Sequence, residues 1–307
     1  MTAVRRRAAD SLVPVTAHPT LAHVVRTLEA LYPPSTAEGW DAVGLVTGDP
    51  AQPVRKILFA VDPVATVADE AIEWGADLIV THHPLFLRPV HSIAATTFKG
   101  SLVHRLVRAG VGLYVAHTNA DAAPRGVADA LADAIGLVDR SPLVPAPSAP
   151  DGGAYPVETG IGRVGRLEEP TTLRAFAQRV ATALPATEQG VRVAGDLDAA
   201  VSTVAVVGGS GDSLFDAVRS AGADVYVTAD LRHHPASELR ERAEFEGGAA
   251  GGPFLVDVAH FASEWPWLRY AAADLTERLA DAGTVETRVS VRRTDPWTAR
   301  IGSAPRA

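Results

Sequence analysis

The sequence predicts an α/β protein built from two similar lobes, with a metal site at the ends of their strands. Three observations predict this fold class: buried strands alternate with helices, a strand-helix-strand unit recurs later in the chain, and histidines follow several of the strands. Alternation of this kind is typical of a parallel or mixed sheet covered on both faces. The 307 residues are enough for roughly two domains of about 150 residues each.

The first half shows the alternation most clearly. Apolar residues recur at helical spacing over 20–32, until Pro33-Pro34 ends the pattern. Buried strands are predicted over 56–61, 77–80 and 112–116, and helices over 64–74, 99–109 and 124–136.

The second half repeats this unit. GADVYVT (222–228) matches GADLIVT (75–81) in five of seven positions, 147 residues apart, and the match extends back without a gap to earlier strands. Farther on, LYVAH (113–117) parallels VDVAH (256–260), here 143 residues apart. Two related lobes explain both matches, although chance similarity between Ala/Val-rich strands is the alternative.

The domain boundaries follow from composition. Residues 141–156 are rich in Pro, Gly and Ser and read either as a linker or as a surface loop within one compact domain. The predicted lobes are then 18–140 and 157–297. Residues 1–17 and 298–307 are predicted to be flexible tails.

Composition excludes several classes of function. The net charge of −8, without a basic cluster, opposes a nucleic-acid partner. The absence of Cys excludes thiolate chemistry, so any metal must be bound by His, Asp or Glu. Neither an apolar leader nor a membrane-spanning stretch is evident, so a cytoplasmic protein without a membrane partner is expected.

Five of the ten histidines lie at or just beyond the ends of predicted strands, where α/β sheets form ligand sites; they are His82, His83, His117, His260 and, less clearly, His234. Successive side chains of a regular strand face opposite ways, so His82 and His83 either serve two metals or diverge at the turn before Pro84.

Carboxylates complete a set of metal ligands. His117 is followed four residues later by Asp121, and His260 by Glu264. Imidazoles and carboxylates together suit Zn, Fe or Mn, and a carboxylate can bridge two such divalent ions about 3.5–4 Å apart. For any single histidine, a hydrogen-bonded structural role is the alternative.

An ordered set of motifs between about residues 20 and 295 resembles the NIF-three-like family, whose members carry the name GTP cyclohydrolase type 2 homologue. The motifs are GWDAVGLVTGD (39–49), THHPLF (81–86), AHTNAD (116–121), GIGRVGRL (160–167) and AHFASE (259–264). The resemblance implies two α/β lobes around a dinuclear metal centre and subunits that assemble into a hexamer.

By the same resemblance, the metal ligands are His82, His83, Asp121, His260 and Glu264, with Glu264 as the bridge. His117 lies in or beside the metal shell. The chain departs from the family in having Ala120 where Leu is usual before the aspartate. It also lacks the inserted domain of longer members, which 141–156 is too short to hold.

Three further motifs stay open. GGSGDS (208–213) could hold a phosphate at a helix start or be a plain strand-to-helix turn. Asp230, His233 and His234 could line the cavity opposite the metals, or could satisfy one another at a lobe or subunit contact. Trp40 and Asp41 could close the mouth of the pocket.

Two functions of different classes fit these residues. One is a metal-dependent hydrolase in which activated water attacks a nucleotide or similar small substrate; the resemblance makes GTP ring opening the reaction to expect. The absence of G-x-S-x-G and H-E-x-x-H disfavours serine hydrolases and zincins. The alternative is a non-catalytic metal-binding or adaptor protein.

Overall fold

The computed structural model describes residues 18–147 and 153–302, which form two β-sheets with helices packed on them. The predicted tail over 1–17 lies outside these ranges, as do residues 148–152 of the predicted linker and residues 303–307 of the predicted C-terminal tail. None of the helices in the described ranges combines the length and apolar character that a bilayer span requires.

The first sheet has five strands. They are β1 (Gly44–Thr47), β2 (Lys56–Ala60), β3 (Leu78–Thr81), β4 (Gly112–Val115) and β11 (Glu286–Val289). Their order is β1-β4-β3-β2-β11, and only the edge strand β1 runs antiparallel to its neighbour. One face packs on α1 (Leu21–Leu31) and α10 (Trp267–Arg278), and the other on α2 (Ala65–Trp74) and α3 (Phe98–Ala109).

The second sheet has six strands. They are β5 (Leu137–Pro145), β6 (Gly160–Thr172), β7 (Arg192–Ala194), β8 (Ala200–Ser210), β9 (Val225–Ala229) and β10 (Phe254–Val258). Their order is β5-β6-β8-β9-β10-β7, with β8, β9 and β10 parallel.

Helices cover both faces of this sheet as well. One face packs on α5 (Val127–Ala134) and α6 (Leu173–Ala183), and the other on α7 (Phe215–Ser220) and α8 (His233–Gly247). Two one-turn helices, α4 (Thr118–Ala122) and α9 (His260–Glu264), follow β4 and β10. The predicted α/β class with two similar lobes is therefore confirmed.

The repeat is visible in the strand register. Ile57 lies opposite Leu78 in the first sheet, and Val204 lies opposite Val225 in the second. Each residue of the second pair follows the matching residue of the first pair by 147 positions. The aspartate of each GAD motif also has the same role. Oδ2 of Asp77 accepts hydrogen bonds from the N–H groups of Arg55 and Lys56, and Oδ2 of Asp224 accepts them from Ser202 and Thr203. Each aspartate thereby holds the neighbouring strand just before the point where the two strands begin to pair.

The later part of the repeat differs from the prediction by one residue. Tyr114 of β4 and Val256 of β10 occupy the same register position, which is a displacement of 142 residues rather than 143. In this register His260 stands one position farther along than His117, and β10 is one residue longer than β4, so each histidine lies two residues beyond the end of its strand. The letters VAH occur in both segments at an offset of 143, one residue more than the offset of the paired strands. Short apolar strands are similar enough in sequence for such a shift to go unnoticed.

The lobes also exchange segments, so the predicted boundaries differ from the sheets. Residues 141–145, predicted as linker, form the end of β5 in the second sheet. Pro142 and Pro145 are compatible with this strand because β5 lies at the edge of the sheet. On the outer side of an edge strand, a missing N–H group costs no hydrogen bond between strands. In return, α10 and β11 from the predicted second lobe belong to the first sheet and its core.

A buried arginine joins the two halves. Arg163 of β6 is 1% exposed. Its guanidinium donates through Nη2 to the carbonyl of Ala123 and through Nε and Nη2 to both carboxylate oxygens of Asp129. A bidentate pair fixes distance and orientation together, so β6 is held against the segment that follows α4.

The Asp77 contact generates a stability prediction. Although burial opposes its ionisation, hydrogen bonds from Arg55 and from the N–H groups of Arg55 and Lys56 lower the pKa of Asp77. Its stabilising effect should therefore be complete above the unfolded-state pKa of about 4 and disappear as the pH falls below that value. We expect Asp77→Asn to lower the free energy of unfolding by about 1–2 kcal/mol at pH 7, measured by urea denaturation.

The matched control is Asp198→Asn, which removes the carboxylate of a surface ion pair that is 81% exposed and should change stability by less than about 0.5 kcal/mol. A loss for Asp77→Asn that persists unchanged at pH 3 would contradict this account.

Candidate metal centre

The two adjacent histidines after β3 lie on an irregular turn and present their Nε2 atoms to one carboxylate. His82 is buried, and its Nδ1 lies 2.9 Å from the carbonyl oxygen of Ala116. His83 is less buried, and its Nδ1 lies 2.7 Å from Oδ1 of Asp62. Both Nε2 atoms face Glu264: His82 lies 3.4 Å from Oε1, and His83 lies 3.2 Å from Oε2. Because β3 ends at Thr81, the two side chains are not bound to the alternation of a regular strand, and both reach the same carboxylate.

His117 follows β4 and is held by Asp41. Oδ1 of Asp41 lies 2.8 Å from Nδ1 of His117, while Oδ2 accepts hydrogen bonds from the N–H and hydroxyl groups of Thr118. Burial opposes ionisation of Asp41, but these contacts hold its pKa well below the usual range. Trp40 stands edge-on to His117 at 6.0 Å between ring centroids and is 59% exposed. Trp40 thus lies at the rim of the site, whereas Asp41 orients a histidine.

The second half contributes His260 and Glu264, one turn apart on α9. Nε2 of His260 lies 2.9 Å from Oε1 of Glu264 and 3.2 Å from Nε2 of His83. Nδ1 of His260 lies 2.6 Å from Oδ2 of Asp230. Asp230, predicted as a pocket residue, contacts a ligand histidine and positions its ring.

All four histidines share one arrangement. Each Nδ1 is engaged by a backbone carbonyl or a carboxylate, and the Nε2 atoms are directed toward the centre. Metal-binding histidines almost always have their second nitrogen fixed in this way, which sets the tautomer and the ring orientation.

Two groups of ligand atoms meet the distance requirement for a metal ion. His82, His83 and His117 form one group, and His83, His260 and Glu264 form the other; within each, the ligand atoms lie within 4.8 Å of one another. Asp121 lies beside the first group, with Oδ1 3.8 Å from Nε2 of His82.

The residues present fit a metal centre. Nε2 of His82 and Oε2 of Glu264 are buried, and although each lies 3.2–3.4 Å from a polar atom across the centre, neither makes a hydrogen bond of good geometry. Leaving a buried polar atom unpaired costs about 1–3 kcal/mol, and coordination to a cation would satisfy both atoms.

The charges of this centre are strongly coupled. Burial opposes ionisation of Glu264, but His83 and His260 hold its pKa well below the usual range. Burial opposes protonation of both histidines, yet the charge of Glu264 raises the pKa of His83 to about 10 and that of His260 to about 11. Burial, reinforced by Glu264, raises the pKa of Asp121 to about 7. Without a metal, protons therefore balance the carboxylates, and a binding cation has to displace them.

The GGSGDS segment packs against this centre. Gly209 has a φ of +67°, and a Cβ there would lie 2.7 Å from Oε1 of Glu264 and 3.0 Å from Nε2 of His260. Its N–H donates to Oγ of Ser263. This N–H is therefore already engaged, and the glycine permits a close approach to the ligands, which supports the plain strand-to-helix turn over a phosphate loop.

His233 and His234 lie outside the two ligand groups. They are exposed on the first turn of α8, with their rings 5.2 Å apart.

Asp62 is a functional residue that the sequence interpretation did not single out. Its carboxylate contacts Nδ1 of His83, as that of Asp230 contacts Nδ1 of His260. The signal for it was its place just beyond β2, at the same sheet edge as His82.

Fold and site together define a class: α/β proteins of two related lobes whose candidate metal centre draws residues from both. A family model described as Duf34/NIF3 (NGG1p interacting factor 3) matches residues 19–296. The chain belongs to the Duf34/NIF3 family, and the resemblance noted in the sequence is confirmed.

Relatives support this assignment along the chain. A protein of Streptomyces coelicolor named GTP cyclohydrolase 1 type 2 homolog is 54% identical over 290 residues, covering 94% of this chain and 96% of its own. A protein of the same name from Clostridium perfringens is 33% identical and covers 89% of this chain and 97% of its own. The crystal structure of a Bacillus cereus protein related to NIF3 superposes with a TM-score of 0.80 at 26% identity, covering 91% of this chain and 99% of its own.

The positioning carboxylates generate a prediction. Asp62→Ala should weaken metal binding by about 10- to 100-fold, because His83 loses the partner that orients it. Competition with a fluorescent chelator measures the affinity. Asp69→Ala, which removes a surface carboxylate paired with Arg105, is the control and should leave the affinity unchanged. Equal affinities for the two variants would show that Asp62 does not orient a ligand.

Proposed function

We propose that the protein is a dinuclear metal-dependent hydrolase acting on a nucleotide or a similar small substrate. The ligands proposed are His82, His83, His117, Asp121, His260 and Glu264, holding two divalent ions of Zn, Fe or Mn. Ions held there supply Lewis acidity, which activates water and polarises the bond under attack.

The observation that carries the proposal is the uneven exposure of the centre. The side chains of His82 and Glu264 are 1% and 3% exposed, whereas those of Asp121 and His260 are 21% and 33% exposed. Structural zinc sites are closed, and catalytic sites keep an open position. The centre is buried on the side of His82 and Glu264 and exposed on the side of Asp121 and His260. This uneven exposure supports a site that admits water and substrate.

The residues have separable roles in this proposal. Glu264 faces both ligand groups and is the candidate bridge. Asp41, Asp62 and Asp230 hold three imidazoles so that only Nε2 is presented inward. Trp40, exposed at the rim beside His117, offers an aromatic face to a planar substrate such as a purine. The name carried by the relatives makes hydrolytic opening of the guanine ring of GTP the first reaction to test.

The bridging role of Glu264 can be measured. Protein purified without chelator should contain about two metal ions per chain by elemental analysis, and Glu264→Gln should lose most of both, because the remaining ligands would leave two cations without a shared anion. Glu246→Gln, on the surface of α8, is the control. Loss of one ion alone would restrict Glu264 to a single site.

Turnover separates the two functional classes. Metal-loaded protein should change the ultraviolet spectrum of GTP or of another purine nucleotide, and the Glu264→Gln protein should not. About two ions per chain without turnover of any nucleotide would instead support the non-catalytic metal-binding or adaptor protein.

We also propose that the chain forms a homo-oligomer, a hexamer by family resemblance. Residues 87–98 are exposed throughout, and Leu87, Val90, Ile93 and Phe98 leave 43–82% of their surface in solvent. Exposed apolar clusters of this kind mark interaction surfaces.

Phe98→Glu should therefore shift the mass measured by light scattering from the oligomer toward smaller species, because a charge at an apolar contact is desolvated without a partner. Phe245→Glu, at an exposed phenylalanine on α8 outside this segment, is the matched control and should keep the wild-type mass. A monomeric wild-type protein would refute the proposed assembly.

A further inference from the structure

The chain leaves strand β11 at the edge of the first sheet that carries the candidate metal centre. β11 runs parallel to β2, and the N–H of Ser290 donates to the carbonyl oxygen of Phe59 at 2.8 Å. The carboxyl ends of parallel strands meet at one edge of a sheet, and Asp62 follows β2 at this edge. Residues 290–295, which we call the post-β11 segment, therefore begin close to a residue that holds a candidate ligand.

Ser290 fixes the start of the post-β11 segment. It is 2% exposed, and its hydroxyl donates to Oε2 of Glu70 at 2.7 Å. Its carbonyl oxygen accepts a hydrogen bond from Nε1 of Trp265 at 3.0 Å. Trp265 directly follows Glu264, the candidate bridge. The segment is thereby anchored both to the first half of the chain and to the neighbour of a ligand from the second half.

The hydroxyl of Thr294, farther along this segment, reaches the aspartate behind His83. It donates to Oδ2 of Asp62, while Oδ1 of the same carboxylate lies 2.7 Å from Nδ1 of His83. A carboxylate held at one oxygen keeps rotational freedom, because the terminal torsion of aspartate has broad minima. The hydrogen bond from Thr294 restricts that rotation and directs Oδ1 toward the histidine.

The same arrangement of threonine, aspartate and histidine occurs once more in the centre. Asp41 accepts the hydroxyl of Thr118 at Oδ2, and its Oδ1 lies 2.8 Å from Nδ1 of His117. Thr118 is the chain neighbour of His117, whereas Thr294 lies 232 residues beyond Asp62. Proximity in the sequence therefore does not explain the second arrangement, and two histidines of the centre are each backed by a hydrogen-bonded pair.

We propose that Thr294 is a positioning residue of the metal centre and acts on His83 through Asp62. That these residues hold a metal rests on the proposed function. Without the hydroxyl, the carboxylate of Asp62 can rotate, and the ring of His83 presents Nε2 to the centre for a smaller fraction of the time. The partner behind a ligand histidine sets its orientation and thereby the affinity for the metal.

The affinity for Zn²⁺, measured on the full-length protein by competition with a fluorescent chelator, tests this role. We expect Thr294→Val to raise the Kd by about three- to tenfold, as for the loss of one hydrogen bond. Thr294→Ser keeps the hydroxyl and should restore the wild-type Kd. Thr182→Val is the matched control, because the hydroxyl of Thr182 donates to a carbonyl within α6. An unchanged Kd for Thr294→Val, or an equal loss for Thr294→Ser, would overturn the proposal.

A double-mutant cycle distinguishes positioning from a general structural effect. In the Asp62→Ala protein, Thr294→Val should cause no further rise in the Kd for Zn²⁺, because the carboxylate through which Thr294 acts is absent. If Thr294→Val raises the Kd by the same factor with and without Asp62, Thr294 acts by another route and the assignment is wrong.

A measurement on the metal-free protein makes the test independent of the proposed function. An ionised carboxylate only accepts hydrogen bonds, so Nδ1 of His83 carries the proton that faces Asp62. In NMR spectra of protein with isotope-labelled histidine, Asp62→Ala identifies this proton by removing its acceptor. We expect the proton to exchange with water about threefold faster or more in Thr294→Val than in the wild type or in Thr182→Val.

The two measurements fail in distinguishable ways. Equal exchange rates in Thr294→Val and the wild type would overturn the positioning role, whatever the protein binds. A wild-type protein that binds no Zn²⁺ but shows the faster exchange in Thr294→Val would count against the proposed function alone, and the action of Thr294 on His83 through Asp62 would stand.

Discussion

The arrangement of the whole centre depends on one buried carboxylate. Glu264 is 2% exposed and lies within hydrogen-bonding or ion-pair distance of His82, His83 and His260. An isolated buried carboxylate is strongly destabilising, so Glu264 is compatible with the fold only if positive charge is held around it. Two of those imidazoles come from the first half of the chain, and the carboxylate itself comes from the second. The charge requirement at one residue thereby ties the halves together.

The fold satisfies that requirement through its strand ends. The duplicated unit places the carboxyl ends of β3 and β4 on one side of the centre and that of β10 on the other. The exchange of α10 and β11 into the first sheet joins the two sheets, and so does the hydrogen bond from Arg163 of β6 to the carbonyl of Ala123, a residue of the first core. Gly209 then allows the backbone of β8 to approach Glu264 and His260 more closely than a residue with a Cβ could.

The sequence was most informative where local pattern decides the structure. Strands β2, β3 and β4 and the histidines after β3 and β4 followed from runs of apolar residues and their ends. The place of Asp62 beyond β2 could be predicted, but the histidine partners of Asp41 and Asp62 could not, because they lie 76 and 21 residues away along the chain. The edge position of β5, which makes its prolines tolerable, is likewise set by sheet order rather than by local composition.

A charge count explains why these carboxylates surround the histidines. Asp41, Asp62, Asp121, Asp230 and Glu264 together carry a charge of −5 when ionised, and four neutral imidazoles add none. Two divalent cations would leave the centre close to neutral, whereas one would leave a large negative charge partly removed from water. Protons on His83 and His260 reduce the same imbalance in the metal-free protein, which is why the pKa values of both are raised. Protons and divalent ions therefore compete for one electrostatic role, and the outer aspartates favour the divalent ions by fixing each Nε2 toward the centre.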